Sequence, residues 1–404
     1  MQKTKKISSE SFISSVLAAI YIEIPVINAF SVVVYGSLMT ELYVSASLFI
    51  IALGIIQGTL FKNKCSSLII ITLILLLFYY LVTKLFYEPK VGVPYYILQA
   101  LFPFIIPSLV KIDWIVFLKT VLVITIPCLF VADYIFQLED NLETIGMGAS
   151  YTFLLPVIAS IGYLIWRKRI DIGLARRFFI ILSVANCIIF LPRLLLFGTR
   201  GPLLSIIIFL MFAWATFFSE EVPHLRIFKE KFYIISILIV LLFFFFVPLL
   251  NLLFDYLSSR GVELYSIDKF LLLMDDGRGI GNGRDDITEL TIRAIPESIL
   301  WGHGIASAPR VIGYVYPHNF VLQLLLDGGL ILSSIVLVPF VKGLVSWVKY
   351  CNNKEYIVIL ILLASIIPGA MVAGELWQNF GLWFIIGVFN ALIIKPTSYE
   401  RNDK

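Results

Sequence analysis

The stretch that decides the fold lies between residues 255 and 319 and reads DYLSSRGVELYSIDKFLLLMDDGRGIGNGRDDITELTIRAIPESILWGHGIASAPRVIGYVYPHN. It is polar and rich in arginine, whereas the chain around it consists of long apolar runs. Burying several guanidinium groups in hydrocarbon is costly, so this segment must lie in water or over a wet cavity. We therefore expect a membrane protein with one long polar insert, residues 255–317, that ends at His318.

The composition sets the class of protein. Apolar residues make up 60% of the 404 residues, charged residues make up 14%, and the mean hydropathy is +0.95, which excludes an ordinary soluble protein. Because roughly 20 apolar residues cross a bilayer as a helix, we predict an all-α polytopic membrane protein with about twelve transmembrane helices. The predicted spans are 12–36, 42–61, 66–86, 95–110, 114–136, 147–166, 177–197, 201–218, 232–254, 318–341, 356–373 and 376–394.

The positions of Lys and Arg predict the orientation. They gather before span 1, after spans 2, 4, 6, 8 and 10, and after span 12, so both termini are predicted to be cytoplasmic. We predict one transmembrane domain, residues 1–404, whose insert between spans 9 and 10 is exported and carries an amphipathic helix. The net charge of +4 lies mostly in cytoplasmic connections, and it indicates contact with membrane lipid and not with nucleic acid.

Cysteines and acidic residues bear on metal binding. None of the 4 cysteines lies in the insert, which excludes a disulfide framework or a Cys-based metal site there. Four aspartates of the insert could bind a divalent cation, but the glycine spacing does not fit an EF-hand loop. We predict a site without metal or other cofactor. The four aspartates are Asp275, Asp276, Asp285 and Asp286.

The second half of the insert has a helical pattern. Residues 285–300 are predicted to form a helix that kinks or ends at Pro296, with Ile287, Leu290 and Ala294 on its apolar face.

Two arginines lie near the end of span 7. Arg200 sits between Thr199 and Gly201, where a large anion could approach the backbone at the start of the next helix. The alternative for Arg200 is an arginine that snorkels to the membrane interface. Arg193 lies inside the span and is either functional or paired with a structural partner such as Glu23.

Arg284 and His318 flank the second half of the insert. Arg284 opens the predicted helix, where it could bind a phosphate or simply pair with Asp285 or Asp286. His318 begins an apolar span on the side of the arginines. Neighbouring cations would favour its neutral form and leave it free to accept a proton, although a lone histidine is more often structural.

The chain resembles the superfamily of O-antigen polymerases and O-antigen ligases, which are bacterial membrane glycosyltransferases of the GT-C-like kind. Three motifs carry the resemblance in chain order, and only the family's second glycine after the His-Asn pair is replaced, by Leu332. The motifs are Gly198-Thr199-Arg200-Gly201, then Gly283-Arg284 leading to Trp301-Gly302-His303-Gly304, and His318-Asn319 followed by Gly329.

The resemblance implies glycan transfer from undecaprenyl pyrophosphate at the outer face of the bacterial cytoplasmic (inner) membrane, without metal. Arg200 and Arg284 would bind the pyrophosphate, and His318 would activate or orient the acceptor hydroxyl. The candidate supporting residues are Arg193, Arg260, Arg278, Asn319 and His303. The glycan donor and acceptor would both be lipid-linked, and family analogy adds a chain-length regulator as a partner.

The predicted function is that of a polymerase, which joins lipid-linked repeat units into O-antigen or capsular polysaccharide. One alternative is an O-antigen ligase, which transfers the finished polymer to lipid A core. A second alternative is a polysaccharide transporter or flippase. Internal repeats would favour this function, and Glu23, Arg193 and Asp327 are the only residues that support it. No internal repeat is visible in the sequence.

Overall fold

The computed structural model is helical wherever it describes the chain, and no β-strand occurs among the described residues. The described residues are 9–35, 49, 52, 74, 77–79, 81, 93–137, 145–170, 175–197, 200–217, 256, 259, 284–349, 354–372 and 375–393. The predicted spans 42–61, 66–86 and 232–254 lie outside them, except for a few isolated positions.

The helices follow the predicted order with altered boundaries. They are α1 Ser9–Ile22, α2 Ile24–Tyr35, α3 Val93–Leu109, α4 Trp114–Ile124, α5 Ile126–Gln137, α6 Ile145–Thr152, α7 Leu154–Ile170, α8 Ala175–Phe197, α9 Arg200–Phe217, α10 Arg284–Ala294, α11 Ala308–Val311, α12 Phe320–Lys349, α13 Lys354–Val372 and α14 Phe380–Ile393.

Two predicted spans are each a bent pair of helices. The α1–α2 pair bends by 61° and the α4–α5 pair by 49°. Each break lies two residues before a proline, at Glu23 before Pro25 and at Thr125 before Pro127. A proline has no N–H and its ring clashes with the carbonyl four residues earlier, so the helix cannot continue straight. The sequence carried this signal, and the prediction of single helices here was wrong.

By length and composition, three described helices could cross a membrane, or up to five if each bent pair is one span. The part of the chain that the structure describes thus supports a helical membrane protein. The count of twelve spans, the division of the chain and its orientation stay predictions.

Close helix contacts hold the bundle together. α14 lies against α3, and a Cβ on Gly387 would overlap the backbone carbonyl of Phe104, so only glycine lets the two helices approach this closely. Phe117 of α4 stacks on Phe384 of α14 with ring centroids 6.0 Å apart. α9 and α7 pack against α13 on another side. These contacts make α13 and α14 central elements of the described bundle.

The described part of the insert packs on α12. Helix α10 ends at Ala294, and residues Ile295–Ser298 continue as a 3₁₀ turn that contains Pro296. The prediction for its apolar face was partly wrong, because Leu290 is 40% exposed and Thr291 is buried with Ile287 and Ala294. Thr291 tolerates burial because its hydroxyl donates to the Ile287 carbonyl at 2.6 Å.

Candidate active site

His318 lies just outside α12 and not within it as predicted. The helix begins at Phe320, and the Asn319 side chain caps it by accepting hydrogen bonds from the backbone N–H of Val321 at 3.0 Å and of Leu322 at 3.1 Å. His318 has a φ of +58°, which is uncommon for a residue with a side chain. The cap and this turn together fix the direction of the imidazole.

The surroundings of the imidazole favour its neutral form. The ring is half-buried, packs edge-to-face on Tyr316 with centroids 4.3 Å apart, and its buried Nδ1 has no partner among the described residues. Burial lowers the pKa of His318 from its ordinary 6.5, and the positive charge of Arg284 lowers this pKa further. At neutral pH the ring can therefore accept a hydrogen bond or a proton.

Arg284 lies in the same site. It is the first residue of α10, and its guanidinium donates to the carbonyl of Val372, the last residue of α13, at 2.6 Å. The alternative that Arg284 pairs with Asp285 or Asp286 is not what the structure shows. A helix end exposes unpaired carbonyls, so the contact satisfies one of them and leaves the other N–H groups of the guanidinium available.

Arg200 begins α9, as predicted, and its backbone lies at the same end of α13. A Cβ on Gly201 would overlap the Tyr151 hydroxyl, and a Cβ on Gly369 would lie 2.9 Å from the Tyr151 ring. Gly369 is one turn before Val372, the partner of Arg284. Tyr151 therefore links the first turn of α9 to the last turn of α13. The Arg200 guanidinium lies outside the described side chains, so its place beside His318 stays a prediction.

The insert is joined to a break in α12. At Gly329, with φ +59° and ψ −161°, the helix kinks, and residues 299–304 take over its open hydrogen bonds. Before the kink, the amides of residues 303 and 304 donate to the carbonyls of residues 326 and 327, at 2.8 and 2.9 Å. After the kink, the amides of residues 330 and 331 donate to the carbonyls of residues 299 and 300, at 2.8 and 3.2 Å. We call these four bonds the clasp.

Glycines make the clasp possible. A Cβ on Gly302, which has a φ of +70°, would overlap the backbone of Asp327, and a Cβ on Gly329 would overlap the backbone of Leu300. The backbone of Gly329 is in a region that is essentially restricted to glycine. Two motifs that are remote in sequence, Trp301-Gly302-His303-Gly304 and the glycine after His-Asn, thus form one structural unit.

Asp327 fixes the neighbouring loops. Its fully buried carboxylate accepts hydrogen bonds from the Ser307 hydroxyl at 2.7 Å and from the Trp377 Nε1–H at 2.7 Å, and it also accepts from the backbone N–H groups of Ala306 and Ser307. A buried carboxylate with four donors is a structural anchor. Asp327 therefore no longer supports the transporter alternative, which rested on Glu23, Arg193 and Asp327.

Residues 185–337 match a family model described as O-antigen ligase. This match supports the resemblance to the O-antigen polymerase and ligase superfamily. A search of curated proteins finds no match to the chain. The matched region of the superfamily runs from α8 into α12 and contains Arg200, Arg284 and His318. Members are glycosyltransferase-like enzymes, which supports enzyme activity in general.

The structure describes three of the five supporting residues predicted from sequence, namely Arg193, Asn319 and His303. His303 is structural, since its Nε2 lies 3.0 Å from the Ala294 carbonyl and its own carbonyl accepts from Arg310. Asn319 acts through the helix cap beneath His318. Arg260 and Arg278 lie outside the described residues. None of the described contacts connects His303 to His318 or Arg284.

Arg193 is paired, but not with Glu23. Its guanidinium forms an ion pair with Asp133 of α5 and donates to the Ile189 carbonyl, and its side chain is 22% exposed. Glu23 is buried at the break between α1 and α2, and its Oε1 has no hydrogen-bond partner among the described residues. The ion pair explains Arg193 without a substrate.

Sequence reasoning missed three residues near His318 and Arg284. They are Tyr316, Gln323 and Glu375. Burial raises the pKa of the Tyr316 hydroxyl, Arg284 lowers it, and Glu375 raises it, so Tyr316 lies within reach of both charges. Only Glu375 had a signal in the sequence, because it is the single charged residue in the connection between spans 11 and 12.

The described residues contain no group of three His, Cys, Asp or Glu side chains that could hold a metal ion. Asp275 and Asp276 lie outside the described residues, so the expectation of a metal-independent site stays a prediction.

Proposed function

We propose that this chain is a polysaccharide polymerase that joins oligosaccharide repeat units carried on undecaprenyl pyrophosphate into O-antigen or capsular polysaccharide at the outer face of the bacterial cytoplasmic membrane. One observation carries the proposal. A cationic Arg284 and a half-buried imidazole, His318, share one site, with Arg284 lowering the pKa of His318. That site lies within the region that matches the superfamily.

The leaving group is the part of the substrate that the arginines would bind. Negative charge grows on the pyrophosphate as the glycosidic bond to it breaks, and without a metal this charge must be met by fixed cations. A guanidinium presents paired N–H donors that suit phosphate oxygens, and its charge persists at every physiological pH. Arg284 would bind the pyrophosphate on one side and Arg200 on the other.

The attacking group is a sugar hydroxyl of a second lipid-linked unit. Neutral His318 carries one ring N–H and would orient this hydroxyl by donating a hydrogen bond to its oxygen. Asn319 would keep the imidazole in place. The lipid tails would remain in the bilayer, and the chain-length regulator stays a proposed partner by analogy alone.

A transfer assay with purified protein tests this function. The full chain in detergent is given lipid-pyrophosphate-linked repeat units, and elongated glycans are measured. We expect Arg284→Ala and His318→Ala each to lower the initial rate by roughly 100-fold or more. Arg293→Ala is the matched control, because Arg293 is exposed and pairs within α10 with Glu289. Equal rates for all four proteins would reject the site. No elongation by the unmutated chain would reject the polymerase, as a transporter would predict.

The ligase remains a second candidate because the matching family model is described as O-antigen ligase. Donor and leaving group are shared by the two reactions, and only the acceptor differs. A strain that lacks this chain separates them. Single repeat units on lipid A core would indicate a lost polymerase, whereas long polymer still on its lipid carrier would indicate a lost ligase.

A further inference from the structure

The loop between α13 and α14 is fixed to α12 by two side chains one helical turn apart. Gln323 accepts a hydrogen bond from the backbone N–H of Leu376 at 2.8 Å, and Asp327 accepts from Trp377 Nε1 at 2.7 Å. Trp383 of α14 also fixes the loop, because its Nε1–H donates to the Leu376 carbonyl at 2.9 Å. All four of these side chains are buried. Leu376 and Trp377 are therefore fixed to α12 and α14 by buried hydrogen bonds.

Glu375 is the first described residue of that loop and is itself buried, at 8% exposure. No described cation forms an ion pair with its carboxyl. Burying an ionised carboxyl without a paired cation is costly, and carboxyls in such surroundings cluster at functional sites. Because the residues next to it are held by buried hydrogen bonds, Glu375 differs from a freely solvated surface carboxylate.

Two titratable groups from neighbouring elements lie near Glu375. The Asp327 carboxylate of α12 and the Tyr316 hydroxyl of the insert interact electrostatically with its carboxyl. Arg284 reaches the same Tyr316, whose ring packs on His318. Arg284 also donates to the carbonyl of Val372, three residues before Glu375, and the amide of Leu376 donates to Gln323, one turn from Asn319. The carboxyl therefore lies in a loop at the end of α12 that carries His318, although it comes from a different element and lies beyond the matched region.

We propose that Glu375 takes up the proton that the attacking sugar hydroxyl loses, while His318 holds that hydroxyl in place. The proposal rests on the glycosyltransferase function proposed above. The hydroxyl oxygen forms the new bond to the anomeric carbon. The bond from that carbon to the pyrophosphate oxygen breaks, and its electron pair leaves with the pyrophosphate beside Arg284. The hydroxyl proton goes to the Glu375 carboxylate and later to water.

The acid–base properties of the two groups suit this division. Burial, with a smaller contribution from Asp327, raises the pKa of Glu375 to about 7, so the carboxylate holds a proton well at neutral pH. Burial and Arg284 lower the pKa of His318, so the imidazole holds a proton less well. An efficient general base has a pKa near the working pH, which favours Glu375 as the group that keeps the proton.

The pH dependence of glycan transfer tests the proposal. Initial rates with lipid-pyrophosphate-linked repeat units are measured from acidic to alkaline pH for the unmutated full chain, Glu375→Gln, Glu375→Asp and Glu297→Gln. Glu297 is an exposed acid of the insert, so its variant controls for loss of one negative charge. Thermal unfolding of each protein shows whether it is folded.

We expect the unmutated rate to fall as the pH drops through about 7, the pKa of Glu375. Glu375→Gln should be slower by roughly 100-fold at alkaline pH, the usual contribution of a general base, and its remaining rate should fall only at lower pH. Glu375→Asp should recover part of the rate together with the fall near neutral pH, and Glu297→Gln should behave as the unmutated chain.

Each of three results would overturn the proposal. If the unmutated chain is active and Glu375→Gln has the same rate and pH profile, Glu375 is not the proton acceptor, while the glycosyltransferase function stands. If Glu375→Gln does not fold, Glu375→Asp decides alone, and an unchanged rate and profile in that variant overturns the role. An unmutated chain without any transfer rejects the proposed function, and this inference with it.

Discussion

Replacing Gly302 by alanine should open the clasp between the insert and α12. The backbone of Gly302 is in the left-handed region, with φ +70°, and a Cβ there would overlap the carbonyl of Asp327 and the amide of Gly328. Residues 299–304 can relieve the overlap only by moving away from the kink in α12. That movement stretches or breaks the four backbone hydrogen bonds of the clasp.

Two contributions set the size of the effect. A left-handed backbone costs a residue with a side chain roughly 1–2 kcal/mol. Each buried backbone hydrogen bond contributes about 1 kcal/mol net, so loss of two to four of them adds about 2–4 kcal/mol. The expected loss of folding stability for Gly302→Ala is therefore about 3–6 kcal/mol.

Gly313→Ala is the matched control. Gly313 also has a left-handed backbone, with φ +76°, but no atom lies within 4 Å of a Cβ placed there. Its expected cost is the backbone contribution alone, about 1–2 kcal/mol. The difference between the two variants isolates the close approach of the two backbones.

Two measurements on purified protein check this prediction. Denaturant unfolding gives the two stability losses, and hydrogen–deuterium exchange reports on the amides of His303, Gly304, Leu330 and Ile331. We expect these amides to lose protection in Gly302→Ala and to keep it in Gly313→Ala. Equal stability losses, together with unchanged protection in both variants, would refute the reasoning.

Three further predictions concern the site and its supports. Asn319→Ala and Asn379→Ala should each cost about 1 kcal/mol of stability, because each removes a helix cap. Only Asn319→Ala should also slow glycan transfer. Equal transfer rates for the two variants would contradict this prediction. Because folding raises the pKa of Glu375 from its ordinary 4.5 to about 7, its stabilisation is complete below pH 4.5 and is lost as the pH rises through 7. The unmutated chain should therefore lose on the order of 3 kcal/mol across that range relative to Glu375→Gln, as measured by unfolding at each pH. Gly201→Ala should lower the unfolding temperature because its Cβ meets the Tyr151 hydroxyl, and Tyr151→Phe in the same chain should restore part of the loss, whereas purely additive losses would reject that contact.

The sequence was sufficient for features that depend on local chemistry. The apolar runs predict helices, and the helix at Arg284 ends before Pro296 because proline cannot donate the next hydrogen bond. The pair His318-Asn319 carries a local signal that the predicted span 318–341 missed, because asparagine is a strong helix cap and the helix begins only after it. Leu290 shows the limit of a pattern, because a threonine with a satisfied hydroxyl occupies the buried face in its place.

Features that depend on remote pairing could not be found in this way. Tyr316 and Glu375 are far apart in the sequence, and only the fold brings them near one another. Asp133 as the partner of Arg193 is a similar case, since either of two acids in neighbouring helices could neutralise an arginine inside a span. A single sequence shows which charged residues inside a membrane need a partner, but it does not show which partner lies close enough to pair.

The clasp and the proposed site depend on the same short stretch of α12. Asp327 contributes its carbonyl to the clasp and its carboxylate to the loop that carries Glu375. One turn earlier, Gln323 fixes the same loop, and its own N–H donates to the carbonyl of Asn319, next to His318. A shift of the insert at Gly302 would therefore be transmitted through Asp327 to the imidazole and to the carboxylate together. Glycan transfer should consequently be more sensitive to Gly302→Ala than to Gly313→Ala, although neither glycine needs to touch the substrate.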